Sequence, residues 1–561
     1  MHTIIYGNQI YQGRNASTST VESLLLSEFA SSHLLYSGLE ALYKTTASSA
    51  AFDSAERYPA PTCLSGTRAD ILRRICDWIE TSDSPPICWL SGMAGSGKSA
   101  IAQSIAETFA AQKRLAASFF FSRRELERCS TQHFFPTLAS QFMIFLPSMR
   151  AKIAEILDED FTTPTKVLRE QMQKLLLEPL KTTNAKFTAP VLMVVDSLDE
   201  CDNEKLVAEL ISLLTQLTRG CPFALRILVT SRAESHIRAK FREQDILALT
   251  YSLELQTFDS EEDIRSFLRH AFGVVLDENQ VIMADEPRPW PKDLELESIV
   301  KKASGLFIFA ITVVKYVGAR HHDPRKRLEV ILADRTVNPT GSAFSDLDTL
   351  YQDAIRIFPD IDATRLILGV IRHLSIPLTV RGLNNLLKKL DVNAGLVVNS
   401  LGSVLLVLED GLQPVRIYHA SFREFLANPQ RAKQFFVDGA VYHRLIAQLC
   451  FEVMSKHLKR DMCSIKDPSM LNREITSLPD LCNRYIDESV RYACCYWAYH
   501  LAQVPNAGRL NDQLVSALQT FFQESLLYWV ETLSLLGFLD TAVMMLRDTS
   551  SWLKVCRAGP T

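Results

Sequence analysis

The chain has 561 residues, Lys+Arg 60 against Asp+Glu 64, a net charge of −4 and a hydrophobic fraction of 47%. That is enough apolar chain for several ordinary cores, which excludes global disorder, and Gly 21 with Pro 23 excludes collagen-like and low-complexity classes. Mixed charge argues against a nucleic-acid partner, and the Cys 12, scattered without C-x-x-C spacing, read as reduced intracellular thiols rather than zinc ligands or disulfides.

Residues 1–20 hold one charged side chain, Arg14, and a β-forming run, Ile4 to Tyr11, read first as a floppy tail and alternatively as a short segment able to pair as a strand with copies of itself. They lack the basic region and apolar run of a signal peptide. Residues 21–60 form a helical segment, Val21 to Thr45, and a linker. An amphipathic helix follows over Arg68 to Glu80. Between 61 and 235 the continuously apolar runs Ile87 to Leu90, Ala116 to Phe121, Val191 to Val195 and Ile227 to Val229 alternate with helical segments, the pattern of a parallel sheet covered on both faces.

Beyond the sheet, residues 236–335 read as a helical domain. A capping box of Asp259 with Glu262 starts one helix, Pro287, Pro289 and Pro291 mark a loop, and a single helix runs from Leu294 to Val317. Its most apolar stretch stops at Lys315, too short to span a bilayer, so no transmembrane segment and a cytoplasmic location are expected. Residues 336–430 combine helices (Leu347 to Phe358, Thr364 to Leu374) with strand-like Val404 to Leu408 and Val415 to Tyr418, split by the turn Glu409-Asp410-Gly411, a winged-helix-like pattern. Residues 431–561 read as helical throughout, without an internal repeat.

Chemistry concentrates between 61 and 235. Gly92-Met93-Ala94-Gly95-Ser96-Gly97-Lys98-Ser99 matches G-x-x-x-x-G-K-[ST], directly after one strand and before the helix Ile101 to Phe109. Such a loop wraps phosphates with backbone N–H groups at a helix N-terminus, with Lys98 on the β/γ-phosphates and Ser99 on magnesium. Asp196, at the tip of the strand Val191 to Val195, is the magnesium-side carboxylate, directly or through water. Asp199 and Glu200 just beyond it are candidates to polarise an attacking water. Arg232, after the strand tip Thr230-Ser231, is placed to read the γ-phosphate.

Together these blocks resemble the NACHT family of signal-transducing (STAND) P-loop NTPases, kin to the NOD-like receptors. Ser197 after Asp196, with an acid at Asp199, is specifically family-like. The flanks are similar to the fungal branch: Cys63-Leu64-Ser65-Gly66-Thr67-Arg68, Trp89-Leu90-Ser91-Gly92, Phe119-Phe120-Phe121-Ser122 and Gly305-Leu306-Phe307-Ile308. Within them Thr67 and Arg68 count among the nucleotide-contacting residues. Tyr418-His419-Ala420-Ser421-Phe422-Arg423-Glu424-Phe425-Leu426 looks like the winged-helix signature of NOD-like receptors, in which the histidine at the position of His419 contacts the β-phosphate of ADP. Phe307 stands where relatives often carry a proline near the adenine. The absence of an N-K-x-D motif favours adenine over guanine.

The resemblance implies an α/β P-loop NTPase domain followed by helical, winged-helix-like and all-α regions. It implies a latch holding ADP or ATP with Mg, slow hydrolysis as a reset, and self-association of the open state in non-self recognition or programmed cell death. An activating ligand and a downstream protein are also implied. The sensor repeats common in relatives are expected to be missing, replaced by the helical tail, or on another chain. Two alternatives remain open: a nucleotide-stabilised scaffold without meaningful hydrolysis, and an ordinary P-loop ATPase or kinase.

Overall fold

The computed structural model describes residues 39–558, except 124, 184, 320–321, 334–343, 408–412, 468–469 and 506–511. The run Ile4 to Tyr11, most of the helix expected over Val21 to Thr45, and the turn Glu409-Asp410-Gly411 lie outside the described residues.

The first part of the chain folds around a parallel sheet of β1 (Ile87–Ser91), β2 (Leu115–Phe120), β3 (Val191–Asp196), β4 (Leu225–Ser231) and β5 (Thr250–Glu254), in the order β2-β3-β4-β1-β5. Because successive strand side chains point to opposite faces, the apolar runs feed two cores. Cys88, Leu90, Leu192 and Leu228 pack with Ile71 and Ile75 of α1 (Ala69–Glu80) and with Ile101, Ile105 and Phe109 of α2 (Lys98–Ala111). Trp89, Met193, Val195, Ile227 and Val229 pack on the other face with α3 (Phe134–Phe145) and α4 (Glu204–Gly220). β5 was not among the expected strands. It pairs only with β1, and exposed Ser252 and Glu254 interrupt the apolar run that marks the central strands.

The helical region follows with α5 (Glu261–Glu278), α6 (Asp293–Ala303) and α7 (Phe307–Val317). The expected capping box does not form. Ser260 is the N-cap, without a side-chain bond, and Asp259 instead accepts from the Glu261 N–H at 2.9 Å. The single helix expected over Leu294 to Val317 is also broken. Ser304 (φ 46°) and Gly305 (φ 78°) are left-handed, a conformation that terminates a helix and that Gly adopts without steric cost. The break aims the start of α7 at the sheet domain, where the Ile308 N–H donates to the Gly95 carbonyl at 3.1 Å.

Further on, α8 (Ile361–His373) precedes a two-stranded antiparallel pair, β6 (Leu405–Leu406) and β7 (Arg416–Ile417), shorter than the expected strands, and then α9 (Ala420–Ala427). The remainder is helical, with α10 (Gly439–His457) and α11 (Glu488–Ala502) packed together. Among the described residues no helix is long and apolar enough to cross a membrane.

Where α8, α10 and α11 meet, the Nδ1 atoms of His443 and His500 lie 2.8 Å apart, the Tyr492 hydroxyl is 2.6 Å from His500 Nε2, and the ring of His373 abuts that of His443. Burial, with Arg372 nearby, pushes His373 down to about 3 and His443 to about 4. Burial and the two neighbouring imidazoles hold His500 well below its usual range. All three are therefore neutral when folded, whereas the unfolded chain takes up their protons below a pH of about 6.5. Stability is accordingly full above that pH and falls as pH drops from there toward 4. In thermal-unfolding series, His443→Gln is expected to lower the proton uptake on unfolding near pH 5 by up to about one proton. An unchanged pH slope in that variant would refute the neutral cluster.

Candidate functional site

The loop from Gly92 to Ser99 leaves the buried end of β1 and enters α2. Gly95 (φ 76°) and Gly97 (φ 98°) hold left-handed turns, and Gly97 caps the helix. Lys98 is 8% exposed and donates to the carbonyls of Gly92 at 2.8 Å and Met93 at 2.9 Å, so its ammonium is folded over the loop. Burial lowers its pKa, and the Asp199 charge opposes that shift.

The neighbouring strand tips supply oxygens. Asp196 accepts from the Thr230 hydroxyl at 2.6 Å through Oδ1 and from the Ser197 hydroxyl at 2.9 Å through Oδ2. Ser197 is left-handed (φ 56°), and its Oγ lies 3.3 Å from Ser99 Oγ. A carboxylate flanked by hydroxyls is a hard-oxygen set of the kind magnesium takes, and it lies at the N-terminal end of α2.

Asp199 is 5% exposed, and both of its oxygens are engaged by Arg232: Oδ1 accepts the backbone N–H at 2.9 Å, and Oδ2 pairs with Nε at 3.1 Å. The other end of the Arg232 guanidinium reaches Glu424 Oε1 on α9 at 2.5 Å. Glu200 accepts from the Arg123 N–H at 3.1 Å, and the Arg123 guanidinium donates to the Asp199 carbonyl at 2.5 Å.

Thr67 and Arg68 lie on the opposite rim. The Thr67 hydroxyl donates to the Leu64 carbonyl at 2.8 Å. Arg68, 4% exposed, donates to the Ser96 carbonyl at 2.7 Å and stacks 4.7 Å over the ring of Phe307. Its Nε and Nη1 are buried without a hydrogen-bond acceptor.

His419 enters from the far side as the N-cap of α9. Its Nδ1 accepts from the Ser421 N–H at 3.1 Å and sits 2.7 Å from Ser421 Oγ, which places the proton of the neutral ring on Nε2. A Cβ on Gly95 would stand 2.2 Å from Ile308 Cγ2 and 3.7 Å from His419 Cε1. The phosphate-loop glycine thus occupies a space shared by three regions of the chain. Around it lies a cavity of about 600 Å³ reaching Lys98, Asp196, Arg232, Phe307 and His419.

These residues fit a magnesium-bound nucleoside polyphosphate. Gly97 has open space where a Cβ would stand, Lys98 and Arg232 offer charge, and the Arg68 guanidinium, with Asp263 Oδ2 3.9 Å from Nη1, keeps Nε and Nη1 without a hydrogen-bond acceptor. Sequence reasoning missed Glu424 and Ile308 as neighbours of the site, and also Arg57, which stacks 3.5 Å over the ring of Phe120 at the cavity wall. Arg57 lies in the stretch read as a linker, which carries no motif.

A family model described as nephrocystin 3, N-terminal, matches residues 66–232, the interval holding the phosphate loop, Asp196 and Arg232. Vegetative incompatibility protein HET-E-1 of Podospora anserina is 24% identical over 396 residues, covering 64% of this chain. The chain is a P-loop NTPase, and these matches support the NACHT type. It spans 26% of the length of HET-E-1. Solved structures similar to this chain include the Aeropyrum pernix ORC1 protein in complex with DNA (TM-score 0.32, 13% identity, 66% of this chain and 94% of that one). A variant of Thermotoga maritima RuvB is another (TM-score 0.24, 15% identity, 64% and 94%). Both scores are too low to bear on function.

Proposed function

We propose that this chain is a nucleotide-dependent switch of NOD-like receptor type, binding ATP or ADP with Mg and controlling self-association in intracellular signalling. The observation that carries this reading is the meeting of Gly95, Ile308 and His419, because a nucleotide on the loop would touch the helical region and the segment 336–430 as well as the sheet domain. That segment acts as the winged-helix-like lid, 61–235 together with β5 as the NTPase domain, the rest of 236–335 as the helical domain and 431–561 as a helical extension.

In this reading Lys98 holds the β/γ-phosphates, Ser99 and Asp196 hold magnesium, Thr67 and Arg68 lie on the nucleoside side, and His419 donates from Nε2 to the β-phosphate. Magnesium, when bound, neutralises phosphate charge. Arg232 reads the γ-phosphate. Recruitment of its guanidinium by phosphate competes with Glu424, so the triphosphate state loosens α9 and the diphosphate state retains it. Asp199, with both oxygens on Arg232, positions that arginine and leaves Glu200 as the carboxylate to polarise water. Turnover is therefore expected to be slow.

Native mass spectrometry of wild type, His419→Ala and Glu424→Gln tests the latch. Wild type is expected as a monomer retaining ADP. Glu424→Gln weakens a partly exposed ion pair worth up to ~1 kcal/mol, a shift of roughly fivefold toward the open, self-associating state. His419→Ala is expected to shift the balance the same way and to release ADP. Variants as monomeric and ADP-loaded as wild type would remove both residues from the latch.

A further inference from the structure

The cavity does not end at the phosphate loop. Ile308, Ile311 and Lys315 all line it. At 100° per residue they share one face of α7, so Lys315 lies about 10 Å along the helix from the Ile308 contact with Gly95. The ammonium of Lys315 sits 3.7 Å from the centroid of the Tyr418 ring, next in sequence to His419. The same cavity is lined by apolar Leu374, Pro377, Leu406 and Val415, and by Arg416, whose guanidinium donates to the Glu56 carbonyl. Among the described residues Lys315 makes no ion pair and no hydrogen bond, and burial alone pushes its pKa down to about 8. A half-buried cation without a counter-ion is costly, and an anion arriving there would relieve that cost. Phosphates on the loop are met by Lys98 and the start of α2, at the other end of the same helix face.

We propose that this end of the cavity is a separate binding site for a small anionic molecule with a compact apolar body, its acid group paired with Lys315 and its body against Leu374, Pro377 and Val415. Such a ligand touches α7 and the segment carrying Tyr418 together. The site stands independently of the switch reading.

Octanoate, a carboxylate with a short apolar chain, serves as the probe in calorimetric titrations of the full chain saturated with ADP, with ADP occupancy measured in the same samples. One octanoate per chain is expected. Lys315→Met should weaken it at least about tenfold, the worth of a charge-assisted pair, and Lys315→Arg should preserve it. Wild-type affinity should fall between pH 7 and pH 9 as the ammonium deprotonates. Octanoate binding with the expected lysine dependence in protein that holds no ADP would still support this site while counting against the switch. Equal binding in Lys315→Met, no binding to wild type, or displacement of octanoate by ADP would overturn the proposal.

Discussion

Gly95→Ala is expected to separate the phosphate loop from the helical region and to drive the protein into its open form. Two costs add. An added Cβ would lie 2.2 Å from Ile308 Cγ2, far inside contact distance, and the residue must hold φ 76°, which L side chains rarely adopt. Overpacking of a fitted contact costs about 1–3 kcal/mol, and the left-handed conformation a further ~1–2 kcal/mol. The sum, roughly 2–5 kcal/mol, shifts a two-state equilibrium by about 30-fold to a few thousandfold. Sedimentation velocity and limited proteolysis would read the opening. Ile308→Ala removes the atom of the closest clash and leaves only a Cβ 2.9 Å away, so the double variant Gly95→Ala/Ile308→Ala should be less open than the two single effects predict together. Strict additivity would place the cost of Gly95→Ala in backbone strain alone, and a closed Gly95→Ala protein would refute the contact.

Lys98→Ala is expected to abolish useful nucleotide affinity. A buried ammonium with several donors makes charge-assisted bonds to phosphate worth about 1.5–3 kcal/mol each. Losing two of them corresponds to roughly two to four orders of magnitude in the dissociation constant. Lys98→Arg should not restore binding, because the site is filled around a compact ammonium that already reaches the Gly92 and Met93 carbonyls, and a planar guanidinium is bulkier. Titration with a fluorescent ADP analogue, alongside thermal unfolding to verify folding, measures the effect. A well-folded Lys98→Ala protein with wild-type affinity would show that the loop is not the phosphate site.

Much of the sheet domain was legible because its signals are local. Strands buried on both faces must be apolar at every position, so β1, β3 and β4 announced themselves, and the spacing of Gly92, Gly97, Lys98 and Ser99 is fixed by one turn between one strand and one helix. β5 was illegible because an edge strand need bury only alternate residues. The break at Ser304 and Gly305 was masked by continuous helical periodicity on both sides, since a single left-handed pair interrupts a helix without changing its composition.

The sequence by itself determined the α/β class, the phosphate loop at the start of α2 and the carboxylate at the tip of β3, because each depends on neighbours a few residues away. Tertiary structure alone decided that Ile308 and His419 close on Gly95, that Arg232 is shared between Asp199 and Glu424, and that Lys315 faces the cavity without a counter-ion. Those partners lie far apart in the chain. Whether a carboxylate is paired or a cation is desolvated depends on which distant elements pack against it, and sequence spacing carries no record of that.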